Sequence, residues 1–189
     1  MPVGPTTAAT PGVDHLGPVV AAFDSWADGL LEHLRGNPAA DRVFTAASHL
    51  GDFSLLWHLV AAARGLASEQ AAGEAFLLSA LIGAESLVVN QGVKRLFKRV
   101  RPTEKGDERY TVRAPSTSSF PSGHASAAAF AATLLAVHSP RRVRPFWYAL
   151  AAVVAVSRAF VRIHHASDVV GGLAIGLGLA AAARRITRW

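Results

Sequence analysis

Five apolar stretches, at 43–67, 75–92, 125–138, 145–160 and 169–183, dominate the chain beyond its first 42 residues and most constrain what it can fold into. A bilayer core about 30 Å thick is crossed by about 20 mostly apolar residues in a helix. Inside lipid, only a helix or a closed barrel satisfies its own backbone hydrogen bonds. The expectation is an all-α integral membrane helical bundle with about five transmembrane helices. The stretches that fall short of a full span must extend into polar turns or line the protein interior. Composition agrees: 189 residues, 51% hydrophobic and 17% charged, are too apolar for an ordinary soluble domain and leave room for one domain only. The absence of cysteine excludes disulfides, thiolate metal sites and cysteine nucleophiles.

Ahead of these stretches, residues 1–17 hold Pro2, Pro5, Pro11, Gly12 and Gly17 and read as a flexible tail. Residues 18–35 place Val19, Phe23, Trp26, Leu30 and Leu34 at helical spacing, while Asp24, Asp28 and Glu32 recur on another face. That pattern predicts an amphipathic helix lying at the membrane interface, since three carboxylates within lipid would be costly. The resulting division is a tail and interfacial helix over 1–41, followed by a transmembrane domain over 42–189. The 43–67 stretch makes one span if Asp52 sits near a membrane face. Gly172 and Gly176, and likewise Ala127 and Ala131, form small-residue faces on which helices approach closely.

The net charge of +6 hides an asymmetry: residues 1–93 carry 3 basic and 9 acidic side chains, and residues 94–189 carry 16 and 4. Clustered cations suit phosphate, anionic lipid or nucleic acid. The apolar stretches between the clusters favour lipid, and no aromatic-interleaved basic surface or nucleic-acid motif is present, so nucleic acid is not an expected partner.

Three short segments hold most of the polar chemistry. In KRLFKRVRP, from Lys94 to Pro102, Lys94 and Arg101 are seven apart, which in a helix puts them on one face with Lys98. An ammonium and a planar guanidinium there suit the non-bridging oxygens of a phosphoryl group, although a basic membrane flank would look the same. In SSFPSGHASAAAF, Pro121, Ser122, Gly123 and His124 stand at the start of a small-residue helix, where first-turn N–H groups and the Ser122 hydroxyl can hold an anion. Gly123 allows close approach, and His124 can give a proton to a leaving oxygen. In SRAFVRIHHASDVVGG, Arg158, His164 and Asp168 are spaced by six and four. A helical step of four lets Asp168 take the Nδ1 proton of His164 and leave Nε2 as a nucleophile. His165, three from Asp168, competes, and spacing alone does not choose between them. A metal site is disfavoured, because no third ligand falls at helical spacing and Arg158 and Arg162 would repel a cation. Glu85, a carboxylate within an apolar stretch, is read as a structural partner for a nearby cation or hydroxyl.

Together the three segments resemble the type-2 phosphatidic acid phosphatase and vanadium haloperoxidase superfamily: Lys-x6-Arg-Pro, then Pro-Ser-Gly-His, then Ser-Arg-x5-His-x3-Asp. The resemblance covers Lys94 to Asp168 and matches all three motifs. It implies a phosphate pocket of Lys94, Arg101, Ser122, Gly123 and Arg158, with His164 as nucleophile, Asp168 orienting it and His124 as general acid. It further implies a phosphohistidine intermediate with no metal or cofactor, and an active site on the extracytoplasmic side of the plasma (inner) membrane. Charge counting does not decide orientation, because Arg141, Arg142, Arg144, Arg184, Arg185 and Arg188 lie at the face opposite the motif loop. The expected activity is hydrolysis of a phosphomonoester or diphosphate on a lipid: phosphatidate, phosphatidylglycerol phosphate, polyprenyl diphosphate or a polyprenyl-linked sugar phosphate. A vanadate-dependent haloperoxidase-like enzyme and a non-catalytic lipid- or anion-binding membrane protein are the competing readings.

Overall fold

The computed structural model describes residues 16–113 and 115–187, all helix, turn or loop, with no strand among them. The flexible tail expected over 1–17 lies almost wholly outside the described residues. Seven α-helices follow in order: α1 (Pro18–Glu32), α2 (Pro38–Gly51), α3 (Leu55–Gly65), α4 (Glu69–Leu87), α5 (Gly123–Val137), α6 (Arg144–Phe160) and α7 (Ala166–Thr187). Their starts are written locally. Pro18 and Pro38 occupy first-turn positions, where a missing N–H costs nothing. Asn37 caps α2 by accepting from the amides of Ala39 and Ala40, and Ser68 caps α4 through Ala71.

The centre of the bundle is α5, in which residues 125–132 and 134–136 are all buried. Its closest approach is to α7, and the small-residue face is the reason. A Cβ on Gly172 would come within 2.4 Å of the Ser122 carbonyl oxygen, and one on Gly176 within 2.2 Å of that of Ser126. Glu85 on α4 accepts a hydrogen bond from the Ser126 hydroxyl of α5, the structural partnership its sequence context suggests.

Two helical segments, Glu69–Leu96 (α4 with its π and 3-10 continuation) and Ala166–Thr187, are long and apolar enough to cross a membrane. Large apolar side chains on α4, α6 and α7, among them Phe76, Leu87, Phe146, Val170 and Leu177, face outward. Short α5 lines the interior, as its length requires.

One expectation is corrected and two are made more specific. The 43–67 stretch is not one continuous helix: α2 ends at Gly51, Phe53 and Ser54 take left-handed backbone conformations (φ 53° and 59°), and α3 starts anew at Leu55. The 41/42 boundary falls inside α2, since the turn separating α1 from the rest lies before Pro38. Finally, α1 is oriented with its charged face inward. Asp24 is buried against the bundle, while Val19, Trp26 and Leu30 are exposed. Asp24 meets Arg99 inside the protein, and Asp28 and Glu32, still partly exposed, meet Arg35, Arg109 and Arg162, which leaves the apolar face outward.

Candidate active site

The helix that begins at Glu69 gives way after Leu96 to an extended backbone at Phe97, and the described residues of 97–113 and 115–122 are loop that crosses one end of the bundle. The residue before a proline avoids the helical region, which fits the non-helical backbone at Arg101-Pro102. Lys94 and Arg101 therefore do not share a helical face. They converge because the chain turns back, and Lys98 ends up exposed, away from them.

Arg101 is the best-held member of the loop. Its guanidinium donates to the carbonyls of Ile163 (2.9 Å), Pro115 (3.0 Å) and Thr117 (3.0 Å), and its Nη1 stands 3.2 Å from His164 Nε2. Arginine only donates, so Nε2 is the acceptor and the ring proton sits on Nδ1. That nitrogen faces Asp168 Oδ2 at 3.6 Å, with the Ser119 hydroxyl 3.5 Å from Nδ1 and 2.5 Å from Oδ2. The tautomer is the one a nucleophilic Nε2 needs. Burial is the main cause that holds the His164 imidazole well below its ordinary pKa, so the ring is neutral at neutral pH with its Nε2 lone pair available. Arg101 itself, although pushed down to about 10 by burial, remains cationic.

Asp168 is fixed by local geometry. It is the third residue of α7, and its Oδ2 reaches back to the His165 amide (2.9 Å), as the acidic residue of a capping box does. Its Oδ1 takes a short ion pair from buried Arg99, and the same guanidinium binds Asp24 Oδ2 of α1 at 2.6 Å. Asp24 in turn accepts from the Ser167 amide and hydroxyl. The ring of His165 turns the other way, with Nε2 3.3 Å from the Val100 carbonyl. The geometry thus separates the two histidines that spacing left open: His164 meets the cations, His165 the loop backbone.

Arg158 is fully buried on α6, its Nη1 on the Ser48 hydroxyl of α2 and its Nη2 3.5 Å from the Arg113 carbonyl. Its Nε is buried without a hydrogen-bond partner among the described residues. Lys94, Arg101 and Arg158 lie within electrostatic range of one another, and none forms an ion pair with a carboxylate among the described residues. Three buried cations that repel one another and lack a salt bridge leave an excess of positive charge that an anion would offset.

The start of α5 faces this group. The Ser122 hydroxyl caps Ala125, and its amide donates to the Asp168 carbonyl (3.0 Å), tying α5 to α7. The amides of Gly123 and His124 belong to the first turn, where a helix has no acceptor of its own to offer. Gly123 has a steric reason to lack a side chain: a Cβ there would meet Asn90 Oδ1 at 2.9 Å. His124 Nε2 lies 3.2 Å from both the Ser48 carbonyl and Asp52 Oδ1. A cavity of about 420 Å3 borders His164 and is lined in part by Asp24, Asp28, Leu31, Thr103 and Arg162. Among the described residues, no three His, Asp or Glu side chains are grouped to hold a metal ion.

All eight residues singled out from the sequence lie at this end of the bundle. Sequence reasoning missed Asp24, Arg99, Ser119, Ser48 and Asp52. The regular recurrence of acids on α1 signalled Asp24 without giving its partner, and Asp52 stood out only as an acid that must sit near a membrane face.

An all-helical membrane protein with a neutral, oriented histidine set against unpaired cations is built for phosphoryl chemistry. The chain belongs to the PAP2 superfamily, whose family model matches residues 73–189. It is 34% identical over 146 residues to decaprenylphosphoryl-5-phosphoribose phosphatase of Mycolicibacterium smegmatis, covering 74% of each chain. It is 32% identical over 151 residues to phosphatidylglycerophosphatase B of Bacillus subtilis, covering 74% of this chain and 71% of that one. The crystal structure of a transmembrane PAP2-type phosphatidylglycerolphosphate phosphatase from Bacillus subtilis superposes with a TM-score of 0.66 at 25% identity, covering 88% of this chain and 87% of that one. The protein is thus a hydrolase of the phosphatase class, an integral membrane protein of lipid metabolism.

Proposed function

We propose that the protein hydrolyses a phosphomonoester or diphosphate of a membrane lipid through a phosphohistidine on His164, without a metal. The observation that carries this reading is the 3.2 Å approach of Arg101 to His164 Nε2 beside two further unpaired cations. A phosphoryl group entering there takes its non-bridging oxygens to Lys94, Arg101, Arg158 and the first-turn amides of Gly123 and His124, with Ser122 shaping that turn. The Nε2 lone pair then forms the N–P bond as the ester P–O bond breaks, and His124 gives its proton to the departing lipid oxygen. Asp168 stabilises the positive charge that grows on the His164 ring. Water next attacks phosphorus as the N–P bond breaks and returns its electron pair to Nε2, His124 takes the proton of the water, and phosphate leaves. Fixed cations around the transferring group supply the electrostatic stabilisation that usually dominates such catalysis.

The two relatives named above act on a polyprenyl-linked sugar phosphate and on phosphatidylglycerophosphate, both phosphomonoesters with a lipid tail. Phosphatidate and polyprenyl diphosphate meet the same chemical requirements. The tail stays in the bilayer, which we take α4, α5, α6, α7 and the broken α2–α3 unit to cross, with α1 on the surface and the site on the extracytoplasmic side of the plasma membrane.

Trapping tests the reading. Wild-type protein incubated with 32P-labelled lipid phosphate and quenched in alkali, where phosphohistidine survives, should retain label. His164→Ala should retain none and release no phosphate, while His165→Ala keeps at least about a tenth of wild-type turnover. Label and turnover that persist in His164→Ala, or are lost only in His165→Ala, would reject the assignment. Turnover in EDTA should equal that without it; loss in EDTA restored by a divalent ion would reject the metal-free mechanism.

A further inference from the structure

The role proposed above for His124 requires a proton on the right nitrogen and a ring that stays cationic beside Arg158. Two acceptors, the Ser48 carbonyl and Asp52 Oδ1, stand 3.2 Å from Nε2. With acceptors on both sides, Nε2 carries a hydrogen whatever the charge of the ring, which leaves Nδ1 as the atom that gains and gives up the catalytic proton. Among the described residues, Asp52 Oδ1 is buried and makes no hydrogen bond, and the His124 imidazole stands within ion-pair distance of it at 3.2 Å.

The backbone around Asp52 is shaped for the contact. Asp52 ends α2, and Phe53 and Ser54 after it take left-handed conformations that side-chain-bearing residues seldom adopt. Such conformations persist where the surrounding structure has a use for them. On the other side, Gly51 lies against the histidine ring: a Cβ there would meet His124 Cδ2 at 2.4 Å. Any residue but glycine would displace the imidazole. The break that divides the 43–67 stretch is therefore where α2 receives the ring.

We propose that Asp52 is the positioning residue of the general acid: it accepts the Nε2 hydrogen of His124, favours the imidazolium against the repulsion of Arg158, and directs Nδ1 to the leaving oxygen. This rests on the proposed phosphatase mechanism and deepens it. Asp52 lies outside residues 73–189, the part that matches the family model, so it comes from the segment of the chain that surrounds the shared motifs. The site then holds two aspartate–histidine pairs of opposite ring polarity. Asp168 faces Nδ1 of His164 and frees Nε2 for attack, and Asp52 faces Nε2 of His124 and frees Nδ1 for proton transfer.

Leaving-group chemistry tests this, because an alkoxide needs a proton as it departs and a nitrophenolate does not. The comparison uses kcat/KM for dodecyl phosphate and for a nitrophenyl phosphate bearing the same dodecyl chain, measured on full-length protein in detergent. Asp52→Asn should lose about 30- to 100-fold on the alkyl ester and less than about threefold on the aryl ester, a smaller version of the selective loss in His124→Ala. Asp52→Glu should recover part of the alkyl-ester activity. Equal losses on the two esters in Asp52→Asn, alongside selective loss in His124→Ala, would overturn the role of Asp52 alone. Equal losses in His124→Ala would overturn the mechanism beneath it. Should Asp52→Asn fail to fold, imidazole 15N spectra of the wild-type protein decide the point. The His124 resonances, identified by their absence from His124→Ala, should report the Nε2–H tautomer when the ring is neutral, and the Nδ1–H tautomer would overturn the proposal.

Discussion

Arg99, Arg109 and Arg162 come from the same basic half of the chain as Lys94, Arg101 and Arg158, yet the fold treats the two sets differently. Arg99 joins Asp24 to Asp168 inside the protein. Arg162 binds Asp28, Glu32 and Asp107, and Arg109 binds Glu32 and Asp107. From the acidic half itself, Arg35 joins Asp28 and Glu32 while donating to the last carbonyls of α6, at Ala159 and Phe160, which a helix end leaves unpaired. The charged face of α1 is thus a clamp that holds the loop and the turn between α6 and α7. The second set has no such partners. Carboxylates of α1, together with Asp107 and Asp168, neutralise the arginines that hold the fold and leave alone the cations that face His164.

The largest contrast should come from Lys94. Its side chain has no ion pair or hydrogen bond among the described residues, so Lys94→Gln removes repulsion without breaking a side-chain contact. We expect kcat/KM to fall about 100- to 1,000-fold while the thermal midpoint holds or rises, the trade of stability for function found at active sites. A falling midpoint would show that Lys94 is structural.

Arg99→Gln should do the reverse. Breaking a buried pair strands a charge and typically costs about 3–5 kcal/mol. Here it leaves Asp24 and Asp168 without their cation, so chemical denaturation should show a loss of that order, and activity should fall with it, because Asp168 also orients His164. Full stability would mean that Asp24 and Asp168 find other partners.

Arg109→Gln should have the smallest effect, about 1 kcal/mol, because its guanidinium is exposed and its pair with Glu32 lies at the surface, although Asp107 is buried. The clamp has a pH signature. Hydrogen bonds from Arg109 are the first cause holding both Glu32 and Asp107 down at about 2. A depressed carboxylate stabilises the fold above its unfolded value, here 4.5 and 3.8, and that contribution disappears as pH falls from there towards 2. Arg109→Gln should therefore flatten the acid limb of the stability profile, and an unchanged limb would remove the clamp from the account.

How much of this was legible depends on whether the signal was local. The start of α5, the Gly172 and Gly176 face and the three motifs were readable because each is a short stretch with its own backbone geometry. The convergence of Lys94 and Arg101 was misread: seven-residue spacing implies one face only while a helix continues, and this one ends before Phe97. The every-fourth-residue acids of α1 defined a face but not its direction, because inward-facing acids require arginines that arrive from 99, 109 and 162. Asp52 was hidden for a related reason. An apolar stretch with one acid reads as a single helix until the ring of His124, 72 residues later, takes the place of a side chain at Gly51.

The most direct test of the central claim sets two arginines four residues apart against each other. Arg158 has no carboxylate partner and Arg162 has three, so lysine at each position retains the charge and removes the planar fork. In kcat/KM for lipid phosphate hydrolysis, Arg158→Lys should lose at least about 100-fold and Arg162→Lys less than about threefold, with the thermal midpoint lowered only in Arg162→Lys. Equal activity in the two variants, or the larger loss at Arg162, would contradict the division between cations that hold phosphate and cations that hold the fold.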